Sequence, residues 1–277
     1  MSEFDEFEAV RRDPDPLRRG RRATELITLY QQRATELARL RRAAIEDARD
    51  TLGLNYSDIA AELGLTKGRV AQIRTSAPEP ERAFFGVGPV AVGIPRRIGV
   101  EDGRERPYFD AVDTATRGDS EELLSRLALT TTRFEVEPDR DDLPPGDTLL
   151  ICGPKSAPVA RELLSADPYL SFVNEAGQWW IDDSSGGTRF DSPYRRTPPI
   201  SGDVGYFARH LVDGRVVVHV AGITSIGSRG VVDWLNANLA SLFRQTEDSS
   251  CSGVVACEFD ADLGITASTL VSGPHRW

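Results

Sequence analysis

Three short loops in this chain set cationic or hydroxyl side chains beside glycine or proline, each directly after an apolar run. Ile94-Pro-Arg96-Arg97 offers two guanidiniums. Gly153-Pro-Lys155-Ser156 offers an ammonium and a hydroxyl, with main-chain N–H groups free where a helix should begin. The stretch from Gly222 through Thr224, Ser225 and Gly227 to Ser228 offers three hydroxyls, and its glycines would let a ligand approach the main chain. The chemistry these groups share is anion binding. Helix N-termini favour phosphate through both their dipole and their unpaired donors. Taken singly, each loop also reads as ordinary turn and cap chemistry. Together, inside an otherwise acidic stretch, they point to a nucleotide or another phosphorylated small molecule.

Evidence for catalysis is thin. Gly222-x4-Gly227 approaches a P-loop in outline, but Ser228 stands where the lysine belongs and no acidic strand end follows to hold magnesium. The same stretch does not match Gly-x-Gly-x-x-Gly, so no dinucleotide is implied. The histidines are His210, His219 and His275. None stands in a Ser-His-Asp order or in metal-ligand spacing. Asp139, Asp141 and Asp142 sit among prolines and read as a solvated loop. Trp179 and Trp180, adjacent on a strand, should face opposite sides. Cys152, Cys251 and Cys257 are odd in number and lack metal spacing, which fits free thiols. The expectation is a protein with no catalytic residues, no metal and no cofactor.

A second constellation lies nearer the N-terminus. Ile59, Ala60 and Leu63 make one apolar face, Gly64 supplies a left-handed turn position, and Thr66 is a good N-cap for the helix that follows. Val70 and Ile73 point back at the first face, and small Ala60 allows a close crossing. Thr66, Lys67, Arg69, Gln72 and Arg74 then point outward. These residue types reach phosphates and base edges. The pattern over residues 50–76 resembles the helix-turn-helix of DNA-binding regulators, most closely the promoter-reading region four of sigma factors. That resemblance implies double-stranded DNA as partner, with Lys67–Arg74 in the major groove. The plainer reading is a structural helical hairpin.

Composition and charge bound the rest. The chain has 277 residues, 40% apolar and 27% charged, enough for two domains. Its net charge of −10 is unevenly spread. Residues 9–78 carry fourteen Lys or Arg against nine Asp or Glu, whereas residues 79–277 carry nineteen against thirty. The basic excess therefore sits with the helical hairpin, as an electrostatic footprint on DNA requires. The first eight residues are acidic and do not read as a signal peptide. No apolar run is long enough to span a membrane. A cytoplasmic location is expected.

The elements that must position these groups follow in order. Residues 1–20 read as a disordered tail. Residues 21–76 hold a long helix plus the helix-turn-helix. Leu26, Leu29, Tyr30, Leu37, Leu40, Ala44, Ile45 and Ala48 recur along that helix at spacings of three and four. So long a stripe needs the distal domain or a second copy, and a homodimer is favoured. Residues 77–86 read as a linker, stiffened by Pro78 and Pro80. Residues 87–277 alternate apolar strands, loops and helices. Helices are expected around 107–116, 120–129, 157–165 and 229–244, a β-meander over 170–195, and a hairpin across Asp213-Gly214.

The fold class is therefore α/β: an all-α N-terminal domain and a three-layer C-terminal domain with antiparallel additions. In architecture the C-terminal part is similar to a Rossmann-like sensor, and the whole resembles an actinobacterial regulator. Such a protein would sense an anionic effector. The alternatives are a nucleotide- or nucleoside-processing enzyme with a DNA-binding appendage, and a protein-interaction scaffold.

Overall fold

The computed structural model describes residues 3–277. Contacts divide the chain into two units, Met1–Glu79 with Val87–Pro89, and Pro80–Gly86 with Val90–Trp277.

In the N-terminal unit, α1 (Glu3–Arg11) precedes α2 (Pro16–Leu52), which is 37 residues long. Asp15 caps α2 by accepting from the amides of Leu17 and Arg18, and Pro16 fills a first-turn position where a missing N–H costs nothing. Arg18 donates from Nε to the buried Asp13 at 2.6 Å, which holds that carboxyl down to about 2. Phe7 stacks on Tyr30 with ring centres 5.4 Å apart. The expectation of a disordered tail is thereby corrected for residues 3–11 and 16–20, which are helical. Charge and two prolines suggested disorder, yet one of those prolines starts a helix. Residues 1 and 2 lie outside the described residues.

Two short helices complete this unit. Asn55 and Asp58 form a capping box at α3 (Tyr56–Glu62). Gly64 turns the chain at φ +64°, a conformation that a Cβ would strain. Thr66 then caps α4 (Lys67–Ser76) by accepting from the amide of Arg69 at 3.2 Å. Ile45 from α2, Ile59 and Ala60 from α3, and Val70 and Ile73 from α4 form one small core. Leu37 and Leu40 of α2 remain exposed.

The C-terminal unit is built on a seven-stranded sheet. Its strands are β1 (Val90–Pro95), β4 (Thr131–Val136), β5 (Asp147–Ile151), β9 (Gly202–Val212), β10 (Arg215–Gly222), β11 (Cys251–Phe259) and β12 (Ile265–Arg276). Their spatial order is β12-β11-β9-β10-β5-β1-β4. Neighbours from β10 to β4 run parallel, and β9, β11 and β12 add antiparallel strands. The parallel strands read as continuous apolar runs because both faces are covered. Leu149 and Ile151 pack with α5 (Ala111–Arg126) and α7 (Ser225–Thr246) on one face. Leu150 and Cys152 pack with α6 (Pro158–Ser165) on the other. The meander β6 (Leu170–Glu175), β7 (Gln178–Asp183) and β8 (Thr188–Asp191) covers the β9 side through Leu170, Ile181 and Tyr206.

Two local expectations are corrected here. The two helices placed over 107–116 and 120–129 are one, α5, because Pro107 belongs to a hairpin of β2 (Arg97–Glu101) and β3 (Arg104–Tyr108). The linker is shorter than 77–86, since Pro80–Phe85 forms a 3-10 turn with Phe84 and Phe85 in the core. The buried guanidinium of Arg209 pins that turn by donating to the carbonyls of Phe84 at 3.1 Å and Ala83 at 3.2 Å. Among the described residues, no helix is long and apolar enough to cross a membrane.

Candidate functional site

The carboxyl ends of β1, β5 and β10 lie side by side because these three strands are parallel neighbours. A cavity of about 280 Å³ opens there. Of the residues singled out from the sequence, it brings together Arg97, Gly153, Lys155, Ser156, Gly222, Thr224, Ser225 and Ser228. Three loops distant in sequence thus line one site.

Lys155 follows β5, and its Nζ reaches across to donate to the carbonyl of Ile223 at 2.6 Å. The same amine lies 5.4 Å from the centre of the Trp179 ring. Burial of the amine, and then the neighbouring Arg195, pull its pKa down to about 8. Arg97 opens β2 and donates from Nη2 to Asp113 Oδ2 at 2.7 Å. Burial pushes the Asp113 carboxyl up, and the Arg97 hydrogen bond opposes that shift. Ser228 does not point a free hydroxyl at a ligand alone, because its Oγ accepts from the amide of Gly222 at 2.8 Å.

Two of the expected ligand residues lie elsewhere. Arg96 turns away from the cavity and donates from Nε to both oxygens of Glu137 at 2.9 Å. Gly227 is buried, and its amide donates to Asp203 Oδ2 at 2.8 Å. The glycines also have a different purpose from the one inferred. A Cβ on Gly222 would overlap the Thr224 carbonyl and the Ser228 amide, and one on Gly227 would overlap the Val204 carbonyl. They let the first turn of α7 press against the sheet, not a ligand against the main chain.

The first turn of α7 is occupied by the protein's own carboxylate. Asp203, at the start of β9, accepts from the amides of Thr224 and Gly227 and from the Thr224 hydroxyl. That helix end is already neutralised, so an anion in the cavity would be met by side chains. Asp110, Asp113 and Arg195 line the cavity and were not anticipated. Asp110 caps α5, its Oδ1 accepting from Val112 at 2.9 Å and Asp113 at 3.2 Å. The cue was present in Asp110-Ala-Val-Asp113, an acidic cap before a helix, but the helix expected from 107 begins at Ala111. Arg195 sits on a 3-10 turn, Pro193–Arg195, whose approach to the site has no local signature.

The histidines play no part in this cavity. His219 is fully buried, and its Nε2 lies 2.7 Å from the Cys152 carbonyl, to which it donates. Burial drives its pKa down to about 3, so it stays neutral. Among the described residues no cluster of His, Cys, Asp or Glu is placed to hold a metal ion.

In the N-terminal unit, Thr66, Lys67, Arg69 and Gln72 are exposed along α4, and Arg69 donates to Gln72 Oε1 at 2.7 Å. Arg74 differs from the outward position expected of it. It is half-buried, donates to Glu46 Oε1 at 2.7 Å and lies 4.0 Å from the centre of the Tyr56 ring. It ties α4 to α2 and α3.

No family model matches this chain, and a search of curated proteins returns no match.

Proposed function

We propose that the protein is a DNA-binding regulator whose C-terminal unit senses a small anion. In this reading α3, the Gly64 turn and α4 form a helix-turn-helix, with α4 as the recognition helix. The observation that carries it is the division of α4 into two faces. Val70 and Ile73 are buried against α2 and α3, while Thr66, Lys67, Arg69 and Gln72 stand in solvent. A helix meant only to complete a hairpin has no need of that polar set beside an acidic protein's one basic segment.

A homodimer fits the same reading. The apolar groove of Phe7, Val10, Leu26, Ile27 and Tyr30, with exposed Leu37 and Leu40 further along α2, is left uncovered within the N-terminal unit. A second α2 would cover it and present two recognition helices to two half-sites. The C-terminal unit is read as a Rossmann-like domain, and the cavity at its parallel strand ends is where such sheets hold ligands. DNA binding responds to the ligand only if the ligand prefers one arrangement of the protein over another.

The test begins by selecting bound duplexes from a randomised pool with the purified full chain. Arg69→Ala with Gln72→Ala should then weaken binding to the selected duplex about 10- to 100-fold, since a bidentate base contact is worth about 1–3 kcal/mol. No enrichment from the pool, or unchanged affinity in the double variant, rejects α4 as the reader.

One observation favours an enzyme as second reading: an amine whose pKa burial pulls down to about 8 shares a cavity with two carboxylates. Turnover of any phosphorylated metabolite, abolished by Lys155→Met, would establish it.

A further inference from the structure

The cavity has two chemically distinct ends. At the β10 end stand Lys155, anchored on Ile223, and Arg195. Neither forms an ion pair among the described residues, whereas Arg96, Arg133, Arg140 and Arg196 of the same unit each find a carboxylate. Lys155 and Arg195 repel one another, and Asp203 offsets that only in part, so an anion placed between them would be favoured. At the end of α7 the Asp203 carboxylate already accepts the Thr224 and Gly227 amides, which disfavours a second anion there.

At the β1 end stand Asp110 and Asp113. Asp113 is 3% exposed, and no donor among the described residues reaches its Oδ1. Asp110 caps α5 with Oδ1 alone, leaving Oδ2 without a protein donor. Both carboxylates line the cavity. This end accepts hydrogen bonds yet carries little net charge, since Arg97 offsets Asp113 and the α5 N-terminus contributes about half a positive charge beside Asp110. Such an end suits neutral hydroxyl donors better than an ammonium, and it gives little to an anion that lacks them.

Size narrows the choice further. About 280 Å³ is below the roughly 300–1,000 Å³ of pockets that enclose drug-sized ligands. It would hold about nine waters at ~30 Å³ each. A ligand held wholly inside it would be small.

We propose that this cavity recognises a ribosyl phosphate, with the phosphate on Lys155 and Arg195 and the vicinal hydroxyls on Asp113 and Asp110. The assignment rests on reading the cavity as the sensing site and adds the ligand's chemistry to it. The source is either a free sugar phosphate or the ribose-phosphate part of a mononucleotide.

Titration calorimetry of the full chain with inorganic phosphate, ribose 5-phosphate, 2-deoxyribose 5-phosphate and AMP tests it. Ribose 5-phosphate or AMP should bind at least tenfold more tightly than inorganic phosphate, and the 2-deoxy sugar should lose most of that margin. Asp110→Asn keeps a good helix cap and should cut the preference over inorganic phosphate below threefold. Lys155→Met with Arg195→Met should abolish binding of every probe. AMP binding more tightly than ribose 5-phosphate assigns the nucleotide as source, and the reverse order assigns the free sugar phosphate. Affinity for both ribose 5-phosphate and AMP no greater than for inorganic phosphate, or a preference that survives Asp110→Asn, overturns the ribosyl assignment while leaving an anion sensor standing. Absence of binding by all four probes overturns both.

Discussion

Positive charge is handled differently in the two units. Along α4, Lys67 and Arg69 stand in open solvent, on the segment of the chain where bases outnumber acids. In the C-terminal unit acids outnumber bases, and most exposed arginines are paired, as Arg133 is with Glu121 and Arg189 with Asp182. Lys155 and Arg195, two of the cations there with no ion pair among the described residues, line a cavity instead. An exposed cation in high dielectric attracts a polyanion over a long range and with little geometric demand. A cation at the wall of a small cavity interacts more strongly but only with a group that fits. On the proposed function, the difference would separate a surface for a phosphate backbone from a site for one small molecule.

The four tryptophans, Trp179, Trp180, Trp234 and Trp277, all lie in the C-terminal unit, so their fluorescence reports that unit alone. This makes the contrast open to direct attack. The largest effect should come from Gly222→Ala, where the new methyl meets the α7 backbone, which cannot swing aside. Loss of about 4 kcal/mol or more is expected for such a clash, read as an early fluorescence transition in urea. A smaller effect, about 2–5 kcal/mol, is expected for Ile73→Ala in the five-residue core of the N-terminal unit. Helical circular dichroism and DNA binding should then be lost while the tryptophan transition stays in place. A shift of both transitions together would mean that the units do not unfold separately.

The smallest effect concerns pH. Lys155 faces Arg195, Arg97 and Asp203, the Trp179 ring and the Ile223 carbonyl. With its pKa lowered to about 8, it is charged below that pH and neutral above it. Affinity for a phosphorylated ligand should therefore fall several-fold between about pH 7 and 9. The phosphate itself is already fully ionised there, its second pKa being about 6. Lys155→Arg should flatten the profile, and a wild-type profile that stays flat would show that Lys155 does not carry the contact.

Much of this was legible in the residues. Continuous apolar runs announced the parallel strands, Gly64 announced its turn, and Asp213-Gly214 announced its hairpin. The three loops bearing cations and hydroxyls were recognisable one by one, and the parallel order of β1, β5 and β10 is what joins them. What escaped notice depends on distant partners. Arg96 and Arg97 are adjacent and identical in type, yet only Glu137 on the neighbouring connection decides which of them leaves the cavity. Asp203 lies about twenty residues from the helix it caps, and no local pattern joins the two. Arg195 arrives from a connector with no periodicity at all. Periodicity reports which way a backbone element faces, but it is silent on how two surfaces divide their charges.

Asp203 has one last consequence. By serving as a permanent counter-ion for α7, it makes the amino end of that helix electrically quiet before any guest arrives. If the cavity binds as proposed, choice of guest belongs to a handful of side chains that can be exchanged one at a time, with the sheet beneath them undisturbed. Removing that carboxylate would unmask a backbone seat with its own appetite for sulfate or phosphate, and the cavity would become less discriminating.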